Sequence, residues 1–255
     1  MKILTKLLKG LAIFVGLLAL VIGGAILFLS KKLPSGETGP AADALAHQIE
    51  EAVHRDAWER TGAIRWVFGG RQKHLWDRSR SLVRVSWKEN VVLYDLTRNT
   101  GVAYQNGKPA DDKSRAKLVE RAYALFCNDS FWLNPLVKLF AARVTRSGVT
   151  EASGRKALLI SYSSGGVTPG DSYLWLLDDK NVPHDWQMWV SIIQLKGIGT
   201  SWENWQTLST GALVASEHKL AGLVPLKLTE IAAAPTLAEL EPGPDPFAPL
   251  FETAR

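Results

Sequence analysis

A single cysteine, Cys127, excludes an intramolecular disulfide, so a chain of this length must rely on its core rather than on covalent staples. A lone thiol in the run FCND reads as a small buried hydrophobe. The locally recognisable enzyme signatures are missing as well: there is no HExxH, GxSxG, phosphate loop, GxGxxG or CxxC. Charge of one sign is scarce beyond the first residues. The formal excess is +5, and Lys2, Lys6, Lys9, Lys31 and Lys32 account for all of it. Everything after residue 32 is neutral and has no net electrostatic drive onto a polyphosphate, so no nucleic-acid partner is expected.

What the sequence does have is one long uncharged run. Residues 10–29 read GLAIFVGLLALVIGGAILFL, and ~20 residues rising ~1.5 Å each make ~30 Å, the hydrocarbon thickness of a bilayer. Lysines at both ends can snorkel to the headgroups. A cleaved signal peptide would need small residues close behind the apolar core, and Gly39-Pro40-Ala41 comes too late. No cysteine follows the run for acylation. Residues 1–32 are therefore expected to be a retained transmembrane anchor. Three lysines precede the span and two follow it, which favours a cytoplasmic N-terminus. The protein is then expected in a bacterial inner membrane, single-pass, with its domain facing the periplasm.

Residues 33–41, LPSGETGPA, read as a linker. Asp43 is a candidate N-cap for a helix running to about Trp58, with Leu45, Ile49, Ala52 and Val53 on one face. After Gly62 the apolar period becomes two, the sign of strands with one buried face. Four runs follow at 64–68, 73–77, 82–87 and 91–96, joined by Gly69-Gly70 and Glu89-Asn90 turns. A short strand at 102–105, a helix over 111–126 and an aperiodic loop over 128–144 come next. A second series lies at 157–163, 172–177, 184–190, 201–208, 212–220 and 226–231, with turns at SSGG (163–166) and DDKN (178–181). The prediction is an α+β domain, predominantly antiparallel β, over residues 42–232: ten or eleven strands in one large curved sheet with two or three helices. Residues 233–255 are rich in proline and are expected to be unstructured or to lie extended over the domain.

Each dispersed polar group has a plain structural role available. His74 and Asp77 lie three apart on a strand and so on opposite faces, which makes them a poor dyad. His184 and Asp185 are adjacent after a turn, and His218 lies between Glu217 and Lys219 in a run that reads as a solvent face. His47 and His54 lie two turns apart on the first helix, a spacing commoner for solvent-facing residues than for metal ligands. Asp111-Asp112 suits a helix start and Asp178-Asp179 a turn. No catalytic residue, metal or cofactor is expected.

The conspicuous excess is tryptophan, ten in all, recurring on the strands. A curved sheet has more concave apolar face than two or three helices can cover, and part of it could receive a ligand. The candidate cavity-lining residues are Ile64, Trp66, Phe68, Trp76, Trp87 and Trp175.

The order of helix, long meander, crossover helix and second meander behind a membrane-targeting segment resembles the lipoprotein-carrier (LolA/LolB-like) family. The blocks His74-Leu75-Trp76-Asp77 and Asn128-Asp129-Ser130-Phe131-Trp132-Leu133-Asn134-Pro135 are similar to segments of bacterial envelope proteins of that type. The resemblance implies a half-barrel that binds acyl chains or lipidated proteins without covalent chemistry. A retained helical anchor departs from both the released carrier and the acylated receptor. The expectation is a lipid- or lipoprotein-binding domain. An envelope interaction module with a filled core, binding another envelope protein, and a hydrolase with a dispersed site are the alternatives.

Overall fold

The structure, a computed structural model, describes residue 24, residues 28–164 and residues 170–252. Most of the expected anchor over residues 10–29 and the two glycines of the SSGG turn lie outside the described residues. Among those described, no helix is long and apolar enough to cross a membrane.

From residue 40 onward the described residues form α1 (Pro40–Ala52) and α2 (Arg55–Glu59). The expected single helix is broken because His54 takes a left-handed conformation, φ 56°, which ends one helix and begins the next. Asp43 is not the N-cap. The backbone turns at Gly39 (φ 118°) and Pro40 starts the helix, the favoured place for proline, which leaves Asp43 in the first turn to pair with Arg146 at 2.6 Å.

A first meander follows: β1 (Ala63–Phe68), β2 (Gln72–Asp77), β3 (Leu82–Trp87), β4 (Asn90–Asp95), β5 (Thr100–Gln105) and the two-residue β6 (Lys108–Pro109). Helix α3 (Asp112–Leu133) then crosses back, capped by Asp111, whose Oδ1 accepts from the Ser114 amide at 2.9 Å. A 3-10 turn (Pro135–Lys138) leads into the second meander: β7 (Val144–Thr150), β8 (Lys156–Tyr162), β9 (Ser172–Leu177), β10 (Pro183–Trp189), β11 (Ile198–Ser201), β12 (Glu203–Thr207), β13 (Leu213–Leu220) and β14 (Val224–Ala234). Two short helices, α4 (Leu237–Leu240) and α5 (Pro249–Glu252), lie in the tail.

All strands join one antiparallel sheet in the order β6-β5-β4-β3-β2-β1-β14-β13-β11-β10-β9-β8-β7, with β12 also paired to β13. The sheet does not close, and β6 and β7 are its edges. The seam is β1 against β14, from Ala63↔Ala234 to Phe68↔Leu228 across a bulge between Arg65 and Val67. The fourteen strands exceed the expected ten or eleven because β6 is too short to show a period, β11 and β12 are separate strands interrupted at Trp202, and β7 lies in the stretch from residue 144 for which the sequence predicts no element.

Alternation divides the sheet into two faces. On the inner one, Ile64, Trp66, Val83, Val85, Val92 and Tyr94 pack under α3 through Ala122 and Phe126. In the other half Leu158, Ile160, Trp175, Trp186 and Met188 pack under α1 through Leu45, Ala46 and Ile49. Close approach of α3 is possible because β5 has Gly101, where a Cβ would lie 2.7 Å from the Leu93 carbonyl oxygen and 3.2 Å from Val119. On the outer face the tail is docked rather than loose. Phe247 is fully buried against Leu75, Leu82 and Leu93, and Arg80–Asp245 and Arg84–Glu241 pairs flank it.

Candidate functional site

The two inner clusters meet at the C-terminal end of α3. The helix continues seven residues beyond its expected end, since Phe126, Ser130 and Leu133 keep a helical spacing that carries the buried stripe onward. Its last turns place Asp129, Phe131 and Trp132 against the sheet. Trp132 packs on both clusters, 5.1 Å from Trp186, 6.4 Å from Trp202 and 5.2 Å from His218, centroid to centroid. Phe131 adds contacts to Tyr162, Tyr173 and Trp186.

Beside this junction Asp129 Oδ2 lies 2.7 Å from His74 Nε2, and the His74 ring stacks on Trp66 at 4.5 Å. His74 and Asp77 do face opposite ways, as alternation requires: Asp77 points outward and accepts from the Arg80 Nε at 2.6 Å. The His74–Asp129 pair supplies an imidazole with an orienting carboxylate. Its other ring nitrogen, Nδ1, is buried and has no hydrogen-bond partner among the described residues.

His218 does not sit on a solvent face. Alternation along β13 turns it inward between the outward Glu217 and Lys219, where it is about 1% exposed and lies 4.4 Å from the Trp202 ring. Burial depresses its pKa to about 4, while the Ser201 carbonyl and Glu203 oppose that shift. The ring is therefore neutral at pH 7. Its Nδ1–H donates to the Ser201 carbonyl oxygen at 3.1 Å, which leaves Nε2 as a buried acceptor without a partner among the described residues. His184 and Asp185, which as strand neighbours should face opposite ways, are joined by a 2.8 Å bond at the surface, where the register shift between Pro183 and Asp185 relaxes strict alternation. His47 is exposed and stacks on Phe140, and His54 Nδ1 bonds the Gly211 carbonyl oxygen.

Of the six residues proposed to line a cavity, Ile64, Trp66, Phe68, Trp76 and Trp87 share the cluster under α3, and Trp175 belongs to the one under α1. Ile64, Trp66 and Trp175 are fully buried, and the others are half-buried. Five indole N–H groups, those of Trp66, Trp76, Trp175, Trp186 and Trp202, have no acceptor among the described residues, nor has the Asn134 amide nitrogen. Native interiors leave few such donors unpaired. An open cleft of about 380 Å³ lies elsewhere, between β12, β13 and β14, and its lining (Asn204, Gln206, Ser216, Glu217, Lys227 and Thr229 among others) is too polar for an acyl chain. Among the described residues no group of three or more His, Cys, Asp or Glu could hold a metal ion.

No family model matches this chain, and no curated protein matches it. Among solved structures it is similar to a DUF1329 family protein from Desulfovibrio piger ATCC 29098, at 8% identity over 81% of this chain and 98% of that one, with a TM-score of 0.42.

Proposed function

We propose that this chain is a membrane-tethered lipid-binding domain that holds an acyl-bearing ligand non-covalently on the inner face of its sheet, on the periplasmic side of a bacterial inner membrane. The observation that supports it is the row of buried, unpartnered indole N–H groups around the end of α3. A core selected for packing alone has no use for a donor that must give up its water; Phe or Leu would fill the same volume without that cost. A lipid offers an apolar body to the indole rings and ester or amide oxygens to their N–H groups. Entry would part the Phe131–Trp132 turn of α3 from β10, β11 and β13, because that turn lies between the two clusters. Binding of this kind needs no covalent step.

A second reading has its own support: Ile64, Trp66 and Trp175 are already closed off, as a filled scaffold core would be. The two readings differ in one measurement. The full chain is purified in detergent, delipidated, and incubated with a fluorescent fatty acid while tryptophan emission is followed. Saturable quenching supports the lipid reading. An unchanged spectrum at all probe concentrations overturns it in favour of the filled scaffold.

A further inference from the structure

The segment that leaves the apolar run is fastened to the domain at once. The Lys31 amide donates to the Lys196 carbonyl oxygen at 2.9 Å, the Lys196 amide to Ser30 Oγ at 3.2 Å, and the Trp189 indole to the Lys31 carbonyl oxygen at 2.8 Å. Gly197 (φ 70°) makes room for the crossing, since a Cβ there would come within 2.6 Å of the Lys31 Cβ. If residues 10–29 lie in a bilayer, the loop at residues 190–197 is therefore held at the bilayer surface with no slack between them.

That loop is built to stand still. The Lys196 ammonium donates to the carbonyl oxygens of Val190 at 2.6 Å and Ile193 at 2.8 Å, and Asp171 accepts from the Ser191 amide at 2.8 Å. Ile192 is left at its tip, 72% exposed. The strand directions bring further loops to the same rim of the sheet. The turn between β13 and β14 lies next to it, joined by the Ala221 amide to the Gly199 carbonyl oxygen, and carries Leu223, 82% exposed, and Val224. The β1–β2 turn follows, where Gly69 donates to the Lys227 carbonyl oxygen. Among the described residues, the exposed large apolar side chains are Phe28, Leu29 and Leu33 on the entering segment, Ile192, Leu223 and Val224 on this rim, and Phe251. Phe251 lies against Arg98 in the β4–β5 turn, at the opposite rim. Lys31, Lys32, Arg71 and Lys88 are exposed on the rim side without a carboxylate partner among the described residues, Glu89 is an exposed acid beside Lys88, and the buried Asp171 is turned to the Ser191 amide. The opposite rim mixes the two signs in its turns, where Arg80 pairs with Asp77 and Asp245, Arg98 with Asp95 and Arg155 with Asp179, so its arginines are engaged with the protein's own carboxylates.

We propose that this rim is a membrane-seating surface: Ile192 and Leu223 enter the interfacial layer of the bilayer that holds residues 10–29, while Lys31, Lys32 and Arg71 engage anionic headgroups. The inference rests on the anchored reading given above. Exposed apolar side chains flanked by cations are the pattern an anionic lipid surface recognises, and a tryptophan at the junction suits the interface. Seated in this way, the domain is an oriented fixture on the bilayer rather than a body swinging on a linker.

The test uses the full chain reconstituted into vesicles of phosphatidylcholine with phosphatidylglycerol. An environment-sensitive fluorophore is placed at Ile192→Cys, Leu223→Cys or, at the opposite rim, Asp179→Cys, each with Cys127→Ser. Quenching by headgroup-proximal spin-labelled lipid is expected to be at least about twofold stronger at 192 and 223 than at 179. Amide exchange across 190–197 and 221–224 in the unsubstituted chain, slower with phosphatidylglycerol than without it, provides the same readout free of any substitution. Flotation of the vesicles after carbonate treatment reports the anchor separately. Protein that floats but shows equal quenching at all three sites, with exchange indifferent to phosphatidylglycerol, overturns the seating and leaves the anchor standing. Protein that is stripped by carbonate overturns the anchor, and the seating with it.

Discussion

His74 on β2 and Asp129 on α3 are joined by a hydrogen bond of 2.7 Å with both side chains about 1% exposed. The bond fixes the rotation of α3 on the sheet, and so decides that Phe131 and Trp132 point into the junction. Asn128 Nδ2 completes the carboxylate by donating to Oδ1 at 2.8 Å. Replacing His74 by Ala strands a buried carboxylate, and the expected loss is ~3–5 kcal/mol. Urea denaturation of His74→Ala, Asp129→Ala and the double variant should show the double losing clearly less than the two singles added together. Additive losses would mean that the two groups stabilise the fold independently.

Trp66 tests the ligand reading more gently than truncation would. Trp66→Ala should cost ~3–5 kcal/mol and obscure any binding measurement. Trp66→Phe keeps an aromatic ring to stack on His74 and removes one unpartnered N–H, so its stability loss should stay near ~1 kcal/mol. If that N–H holds the ligand, uptake of a fluorescent fatty acid by the folded protein falls. Unchanged uptake with a lower melting temperature would place Trp66 in the core alone.

His218 gives the fold a pH dependence whose sign follows from its environment. The folded state holds the proton more weakly, at about pH 4 against 6.5 for the free side chain, because burial penalises the charged ring. Its contribution is fully present above the unfolded value and is lost as the pH falls from there through the folded one. The loss should amount to ~3 kcal/mol. Urea midpoints measured across this window should fall more steeply for wild type than for His218→Leu. Parallel curves would show that other groups govern acid unfolding.

The tail should behave as part of the domain. Phe247→Ala removes a fully buried ring from between Leu75, Leu82 and Leu93, with an expected cost of ~3–5 kcal/mol. Limited proteolysis should then cut within residues 241–252 well before the strands. A tail cleaved equally fast in the wild type would show that its docking is weak.

Much of this architecture was readable from residue order. The alternation of Ile64, Trp66 and Phe68, or of Val83, Val85 and Trp87, needed only period two and a turn, and Asp111 announced its helix by its chemistry. The errors arose where tertiary contacts outweighed local pattern. Nothing local required His54 to turn left-handed. Asp129 and Ser130 masked a helix whose polar residues find partners in the sheet and in its own backbone. His218 was misplaced because its neighbours Glu217 and Lys219 do face outward and pair with Lys227 and Glu203. Phe247 sits among prolines, and only the outer face of β2 to β4 gives it a reason to be ordered. Around the candidate site, the aromatics that pack in the two inner clusters could be nominated from sequence, whereas the unpartnered indoles depend on three-dimensional neighbours.

The route of the chain through its sheet has a consequence for biogenesis. Synthesis starts the sheet at its centre with β1 and finishes it at the same place with β14, from residue 63 to residue 234. Neither edge strand is a chain end, and the middle of the sheet stays unzipped until nearly all of the polypeptide is available. Closing so long a loop makes the seam a late and slow event. During that interval β1 offers a bare hydrogen-bonding edge beside Ile64 and Trp66, the kind of edge on which incompletely folded chains pair with one another.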